Sequence, residues 1–302
     1  AIALAMCASV ILTGCGSSNN DEVVVATPEV TATPNVIFFL GDGMGMTTLT
    51  AARIYKVGED GELTIDTLPE TAFIKTFSLD AQVTDSAPSM AAYMTGVKMN
   101  NEVISMSSDT KARGSNGVDY VNGSDSTCPD SGNGKAVQSL LELFKSKNHP
   151  VGVVTTTRVT HATPATTYAH ICHRDGENNI AAQMVPNSNT YNTALGNGVD
   201  VLLGGGRKHF LPKADGGART DSRNLITELK AQGYSYAANQ SEFAAIDATK
   251  TQKLVGLFTS SHMSYDLDRD ASKEPSLSEM TSKAIDVLQT KANSKGFFLM
   301  VE

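Results

Sequence analysis

The stretch NVIFFLGDGMG, at positions 35–45, sets an apolar run directly before a glycine-rich turn. The run VIFFL is typical of a buried strand, and the turn after it holds Asp42 between glycines at 41, 43 and 45. Glycines let a ligand approach the backbone closely, so Asp42 is a candidate binding carboxylate. A tight turn that uses Asp and Gly for their dihedral freedom explains the pattern equally well. The stretch is not a dinucleotide-binding fingerprint, because Thr48 stands where the third glycine belongs.

Apolar runs and amphipathic stretches alternate along the rest of the chain. They predict strands at 36–40, 151–157, 199–206, 254–260 and 297–302, and helices at 134–147, 223–233 and 276–291. This alternation predicts an α/β fold, a three-layer α/β/α sandwich around a central, mainly parallel sheet. Ligands bind such sheets at the carboxyl ends of the strands, where Asp42, the stretch THATP (160–164) and Glu302 fall. The polar segment 105–133 is predicted to be a loop.

The composition excludes one class of function. The 302 residues are 40% hydrophobic and 19% charged, which is ordinary globular composition for one large domain or two small ones. The formal net charge of −8 argues against a broad basic surface, so no nucleic-acid partner is expected. An anionic protein can still bind an anionic substrate where metal ions supply local positive charge.

The first residues carry signals of export. The run AIALAMCASVIL is about as long as a signal-peptide core and too short to span a bilayer. It leads into LTGC, Leu12 to Cys15, whose order resembles the lipobox of bacterial lipoproteins, where the cysteine is lipidated. We expect a signal at 1–15, a flexible tether at 16–34 and a periplasmic protein anchored to a membrane through Cys15. The alternative is a plain secretory signal with an incidental cysteine. With no initiating Met and no basic n-region, the sequence is expected to begin inside the precursor.

Two cysteines remain beyond the signal, Cys128 and Cys172. In an exported protein these are expected to form a disulfide. The alternative is two free thiols, because the sequence alone does not show that they meet.

The stretch VTDSAPSMAAYMTG, at 83–96, has the features of a helix start, with Ser86 at or near the N-cap and Pro88 in the first turn. A serine there lies near free backbone N–H groups and the positive end of the helix dipole, which suits an alkoxide or a phosphate. No histidine lies nearby in sequence, so a metal is the more natural activator of this hydroxyl. A serine that only caps the helix is the commoner explanation.

The stretch TTTRVTHATPATTYAHICHRD, at 155–175, offers a second group of polar side chains. His161 and Thr163 follow a predicted strand, Pro164 opens a short helix, and Arg174 follows that helix. An imidazole beside a hydroxyl suits a hard or borderline cation, and an arginine can hold a phosphate with two hydrogen bonds. Glu302 closes an apolar strand, where a carboxylate lies at the solvent edge or holds a metal. A capping threonine with surface histidines and an arginine is the alternative.

Taken together, the blocks NVIFFLGDGMG, TDSA, GVVTTTRVTHATPA, LLGGGRKHF and FFLMVE resemble those of the alkaline phosphatase family, in its order, over residues 35–302. The resemblance implies hydrolysis of small phosphate monoesters to inorganic phosphate through a phosphoserine, with two zinc ions and one magnesium. It implies that Ser86 is phosphorylated, that Arg174 clamps the phosphate, and that Asp42 bridges zinc and magnesium. Thr163 and Glu302 match the magnesium ligands, and His161 lies at a nearby position where the family has Asp or His. The family is commonly homodimeric.

Two departures from the family pattern stand out. Pro88 and Met90 follow the serine where the family has small residues, which could reshape the pocket. The family takes its remaining zinc ligands from segments beyond Glu302, and none of the six histidines here matches one of them. We therefore expect residues 35–302 to be the N-terminal portion of an alkaline phosphatase domain, incomplete at the C-terminus. A phosphodiesterase or sulfatase of the same superfamily and a non-catalytic metal- or phosphate-binding lipoprotein are the alternatives.

Overall fold

The computed structural model describes residues 34–129, 131–292 and 295–302. The predicted signal, Cys15 and nearly all of the predicted tether lie outside these residues. Within the described ranges, no helix is long and apolar enough to cross a membrane.

Six strands form one sheet in the described part of the chain, in the order β1-β6-β2-β3-β5-β4, and every neighbouring pair is parallel. The predicted parallel sheet is therefore confirmed. One short strand, β4, was not predicted. The strands are β1 (Val36–Phe39), β2 (Val151–Arg158), β3 (Val201–Gly205), β4 (Ser235–Ala237), β5 (Leu254–Leu257) and β6 (Phe298–Val301).

Successive residues of the central strands pack on opposite faces of the sheet, as the pleat requires. Val153, Phe298 and Met300 belong to one hydrophobic core, and Val154 and Leu299 to a second. Helices cover both faces, which accounts for the continuous apolar runs in the sequence. The predicted three-layer arrangement is confirmed.

The α-helices of the described residues connect the strands. Among the three helices predicted with bounds, the one expected at 134–147 begins only at Leu140. The hydroxyl of Ser139 accepts the Glu142 N–H at 3.2 Å, and the Glu142 carboxylate accepts the Ser139 N–H at 2.7 Å, so this capping box sets the start. The helices are α1 (Met46–Val57), α2 (Ser86–Thr95), α3 (Leu140–Ser146), α4 (Ala162–Ala165), α5 (Glu177–Gln183), α6 (Leu225–Ala231), α7 (Gln240–Ala245) and α8 (Leu277–Ala292). Short 3-10 turns lie at Thr64–Thr67, Thr193–Leu195, Arg207–Phe210, Lys213–Asp215 and Asp266–Asp268.

A disulfide joins Cys128 to Cys172, as predicted. It ties the polar segment 105–133 to the chain just before Arg174. The described residues of that segment form isolated bridges and turns but no helix or strand, so the loop prediction is also confirmed.

Candidate active site

Ser86 lies where the start of α2 meets the turn after β1. Its Oγ donates a hydrogen bond to Asp42 Oδ2 at 2.9 Å. Asp42 reaches this point because the turn reverses through Gly43, whose φ of 64° is the left-handed conformation that glycine adopts without strain. The two residues are 44 positions apart in sequence, so the fold creates this contact.

Asp85, not Ser86, is the N-cap of α2. Its carboxylate accepts the Ala87 N–H at 2.6 Å, and Ser86 is the first residue inside the helix. Because Asp85 satisfies this helix N–H, the Ser86 hydroxyl is not occupied as a cap. It points instead to Asp42.

Three side chains converge beside this pair. Ligand atoms of Asp42, His161 and Glu302 lie within 4.8 Å of one another. Glu302 stands one residue beyond β6, and its Oε2 accepts hydrogen bonds from the hydroxyls of Thr155 at 2.6 Å and Thr157 at 3.0 Å. No other group of three His, Cys, Asp or Glu side chains comes this close in the described part of the chain.

Three buried polar atoms near this group have no hydrogen-bond partner among the described residues: Glu302 Oε1, Thr163 Oγ1 and His161 Nδ1. Buried polar atoms are nearly always satisfied, so such a set indicates a missing ligand. Carboxylate and hydroxyl oxygens are the donors that Mg²⁺ prefers. The oxygen atoms of Asp42, Thr163 and Glu302 therefore fit a hard divalent cation.

Charge and burial affect Glu302 and His161 in opposite directions. Burial raises the pKa of Glu302, against the hydrogen bonds from Thr155 and Thr157, and the negative charge of Asp42 adds to the rise. Burial, and then the positive charge of Arg174, lower the pKa of His161 to about 4. The imidazole is consequently neutral at physiological pH, and only one of its nitrogens carries a proton.

Arg174 connects the group of Asp42, His161 and Glu302 to the start of α2. Its Nη2 donates to His161 Nε2 at 2.8 Å, and its Nη1 donates to Asp85 Oδ1 at 3.1 Å. Because arginine can only donate, Nε2 must be the accepting nitrogen of the neutral ring, and the proton lies on Nδ1. In this arrangement His161 offers an N–H donor rather than a metal ligand.

The six candidate residues predicted from the sequence lie together in the structure: Asp42, Ser86, His161, Thr163, Arg174 and Glu302. The prediction did not include Asp85, Thr155 or Thr157. The threonines had a readable signal, since residues two apart on a strand share a face. One local prediction was wrong: α4 begins at Ala162, after His161 as N-cap, and not at Pro164.

The alkaline phosphatase family model matches residues 33–302. The chain belongs to the alkaline phosphatase family.

Curated alkaline phosphatases resemble this chain at moderate identity. The alkaline phosphatase of Gadus morhua is 36% identical over 89% of the chain and 58% of its own length. The tissue-nonspecific isozyme of Rattus norvegicus is 37% identical over 89% of the chain and 53% of its own length. The chain thus spans about half the length of the curated relatives it matches.

Solved alkaline phosphatase structures share the fold. The enzyme of the Antarctic bacterium TAB5 superposes with a TM-score of 0.66 at 26% identity, over 89% of this chain and 65% of that one. The Thermus thermophilus enzyme gives a TM-score of 0.70 at 28% identity, over 90% of this chain and 50% of that one. A TAB5 variant with a histidine replaced by glutamate has Mg bound.

Proposed function

We propose that this protein hydrolyses phosphate monoesters through a phosphoserine at Ser86. The observation that carries the proposal is the position of the Ser86 hydroxyl. It lies in the first turn of α2, hydrogen-bonded to Asp42 and next to the guanidinium that Asp85 holds. A hydroxyl that does not cap the helix and that lies between a carboxylate and an arginine has the surroundings that a nucleophile toward phosphorus needs.

Asp42, Arg174 and the N-terminus of α2 act on different atoms in the first displacement. Asp42 Oδ2 accepts the hydroxyl hydrogen bond and so directs a lone pair of Ser86 Oγ toward the substrate. Arg174 faces the phosphate with a planar group suited to two of its oxygens, and the N-terminus of α2 adds positive potential. The Oγ–P bond forms as the bond from phosphorus to the leaving oxygen breaks. The Ser86 Oγ proton passes to water and the leaving oxygen takes a proton from water, so the step releases the alcohol with no net change in protons.

The second displacement reverses these roles. Water attacks the phosphoserine, the Oγ–P bond breaks, inorganic phosphate leaves, and Ser86 Oγ regains a proton. Asp42 again accepts the hydrogen bond of the restored hydroxyl, and Arg174 holds the phosphate in both steps.

We propose two zinc ions and one magnesium as the cofactors. Asp42, Thr163 and Glu302 would hold magnesium, supported by their hard oxygen donors and by unpartnered Glu302 Oε1 and Thr163 Oγ1. Asp42 would also contribute to zinc, as the family resemblance implies. Bound divalent ions supply Lewis acidity, which lowers the pKa of a hydroxyl and stabilises a leaving oxygen. His161, with its N–H directed away from Arg174, would act on a metal-site water as a donor.

Trapping of the phosphoenzyme tests the function. Wild type, quenched in acid during turnover of an aryl phosphate with Zn²⁺ and Mg²⁺, should yield a phosphopeptide that contains Ser86 in mass spectrometry. Ser86→Ala should lose the phosphopeptide and most turnover. Ser89→Ala is the matched control, because Ser89 lies one turn further along α2 and bonds only to main-chain carbonyls.

Two outcomes would contradict the proposal. A phosphopeptide that persists in Ser86→Ala would move the nucleophile elsewhere. Phosphate binding without turnover in wild type would support a non-catalytic binding protein instead.

We also propose that Cys15 is lipidated and anchors the protein at the periplasmic side of a membrane. The proposal rests on the LTGC order after the apolar run. Labelled fatty acid should enter the wild-type precursor and not Cys15→Ser. Equal labelling would refute it. A homodimer, expected from the family resemblance, is tested by light scattering of the purified protein.

A further inference from the structure

One carboxylate beside Arg174 makes no hydrogen bond or ion pair in the described part of the chain. Glu102 is half-buried, and its side chain takes part in no hydrogen bond or ion pair with any described residue. Burial, and then the negative charge of Asp85, raise its pKa, while the charges of His173 and Arg174 act in the opposite direction. Glu102 is thus an available negative charge within electrostatic range of the phosphate clamp.

The backbone of Glu102 is fixed to the clamp on both sides. Its N–H donates to Asp85 Oδ2 at 2.5 Å, and its carbonyl accepts the Arg174 N–H at 2.8 Å. The side chain therefore starts from a point held by the two residues that position the phosphate.

The conformation of Glu102 is costly for its residue type. Its φ of 71° lies in the left-handed region, which glycine adopts freely and a glutamate adopts at a cost of about 1 kcal/mol or more. The Glu102 side chain makes no hydrogen bond or ion pair within the described ranges that would offset this cost. Strain of this kind points to a role outside the folded chain itself.

The side chain lines a cleft of about 300 Å³. Most other charges in the cleft are already engaged: Asp80 Oδ1 accepts the Asn101 N–H, and Arg113 pairs with Asp119. Lys111 is exposed, where water and salt screen its charge. The cleft therefore offers Glu102 as its half-buried carboxylate without a hydrogen bond or ion pair to the described residues.

We propose that Glu102 and this cleft form the subsite for the leaving group and favour phosphate monoesters whose leaving group carries an ammonium. The proposal rests on the proposed function. Two unit charges about 5 Å apart in a water-like medium interact strongly enough for about a fourfold preference. The same charge disfavours a leaving group that carries a carboxylate by a similar factor.

Three small substrates of different charge test the subsite: O-phosphoethanolamine, ethyl phosphate and phosphoglycolate. In Glu102→Gln, kcat/KM for O-phosphoethanolamine relative to ethyl phosphate should fall about fourfold, and the ratio for phosphoglycolate should rise about fourfold. Glu59→Gln removes one charge from an exposed position at the end of α1 and should change neither ratio. Unchanged ratios in Glu102→Gln would overturn the proposal.

Binding separates this subsite from the proposed reaction. In a Ser86→Ala background no phosphoserine can form, and calorimetry gives the Kd of each ester directly. Adding Glu102→Gln should weaken O-phosphoethanolamine about fourfold relative to ethyl phosphate. If wild type turns over none of the esters, the proposed function is refuted, but the ratio of Kd values still tests the role of Glu102. If that ratio is unchanged by Glu102→Gln, only the proposed subsite is refuted.

Discussion

Replacing Asp85 should show two roles of its carboxylate, one in the stability of the fold and one in phosphate binding. Asp85 accepts the Ala87 N–H at the start of α2, the Glu102 N–H, and the Arg174 guanidinium. Its side chain is 19% exposed and that of Arg174 16%, so this ion pair is partly shielded from water. In Asp85→Ala the loss of the helix cap destabilises the fold by about 1 kcal/mol. Each lost charged hydrogen bond contributes about 1.5–3 kcal/mol, and this value is reduced because the ion pair is still partly exposed to water. We expect about 3 kcal/mol less stability against unfolding.

The effect on phosphate binding follows from side-chain entropy. Without Asp85, Arg174 keeps its hydrogen bond to His161 but loses the one to the carboxylate. Ordering the freed side chain again when phosphate binds costs up to about 1.5–2 kcal/mol of side-chain entropy. The Kd for inorganic phosphate should therefore rise about tenfold in Asp85→Ala. In Asp85→Asn the amide oxygen can take the place of Oδ1, which accepts both the Ala87 N–H and the Arg174 Nη1 hydrogen bond, so stability falls by about 1 kcal/mol less and phosphate affinity also falls less than in Asp85→Ala.

Calorimetric titration with phosphate and urea unfolding measure the two effects separately. Asp268→Asn, an exposed acidic position without a side-chain hydrogen bond among the described residues, is the control and should change neither. The reasoning is refuted if both Asp85 variants fold and bind phosphate as tightly as wild type. It is also refuted if Asp85→Asn loses as much stability as Asp85→Ala.

Three further predictions concern stability. Burial alone would lower the pKa of His170, but the hydrogen bond that its ring donates to the Glu142 carboxylate raises it above 6.5. Against burial, the same contact lowers the pKa of Glu142 below 4.5. The pair therefore stabilises the fold most between pH 4.5 and 6.5. The contribution of His170 to stability is lost as pH rises through its folded pKa, and that of Glu142 is lost as pH falls through its folded pKa. In urea titrations His170→Gln should therefore cost more unfolding free energy at about pH 6 than at about pH 9, and an equal cost would contradict the linkage. A double change of Cys128 and Cys172 to serine opens a loop of 44 residues and should cost about 4 kcal/mol in the same assay; a loss under about 1 kcal/mol would show that other contacts already hold the loop. Mg²⁺ should raise the melting temperature of wild type, and Glu302→Gln should abolish most of the rise; an undiminished rise would place the cation elsewhere.

Strands β2, β3, β5 and β6 were predictable because they contain continuous apolar runs that are largely buried. Strand β1 also has an apolar run but is only partly buried, and the short β4 was not predicted. Helix α1 was not, because its residues MTTLTAARIYKV show no apolar face, and none of them is buried in the structure. The start of α3 depended on a capping box that competes with the apolar periodicity around it. Local sequence patterns thus identified the elements whose position is set mainly by burial of apolar side chains. They missed helix ends that depend on single hydrogen bonds.

The candidate site could be anticipated residue by residue but not as a geometry. Glu302 meets Thr155 across 147 positions of sequence, and Asp85 meets Arg174 across 89. Such contacts follow from the order of strands in the sheet, which one sequence does not reveal. Glu102 had no local signal at all, because a left-handed glutamate looks like any other glutamate in sequence.

Charge at the site sets a condition on how phosphate can bind. Asp42, Asp85 and Glu302 surround Ser86 with three carboxylates, and Arg174 supplies one positive charge that Asp85 already pairs. A phosphate dianion that enters these surroundings meets a net negative field, in a chain whose formal charge is −8. Divalent cations on Asp42 and Glu302 reverse the sign of that field. The proposed reaction therefore depends on cations twice, once for the affinity of the substrate and once for the reactivity of the Ser86 hydroxyl.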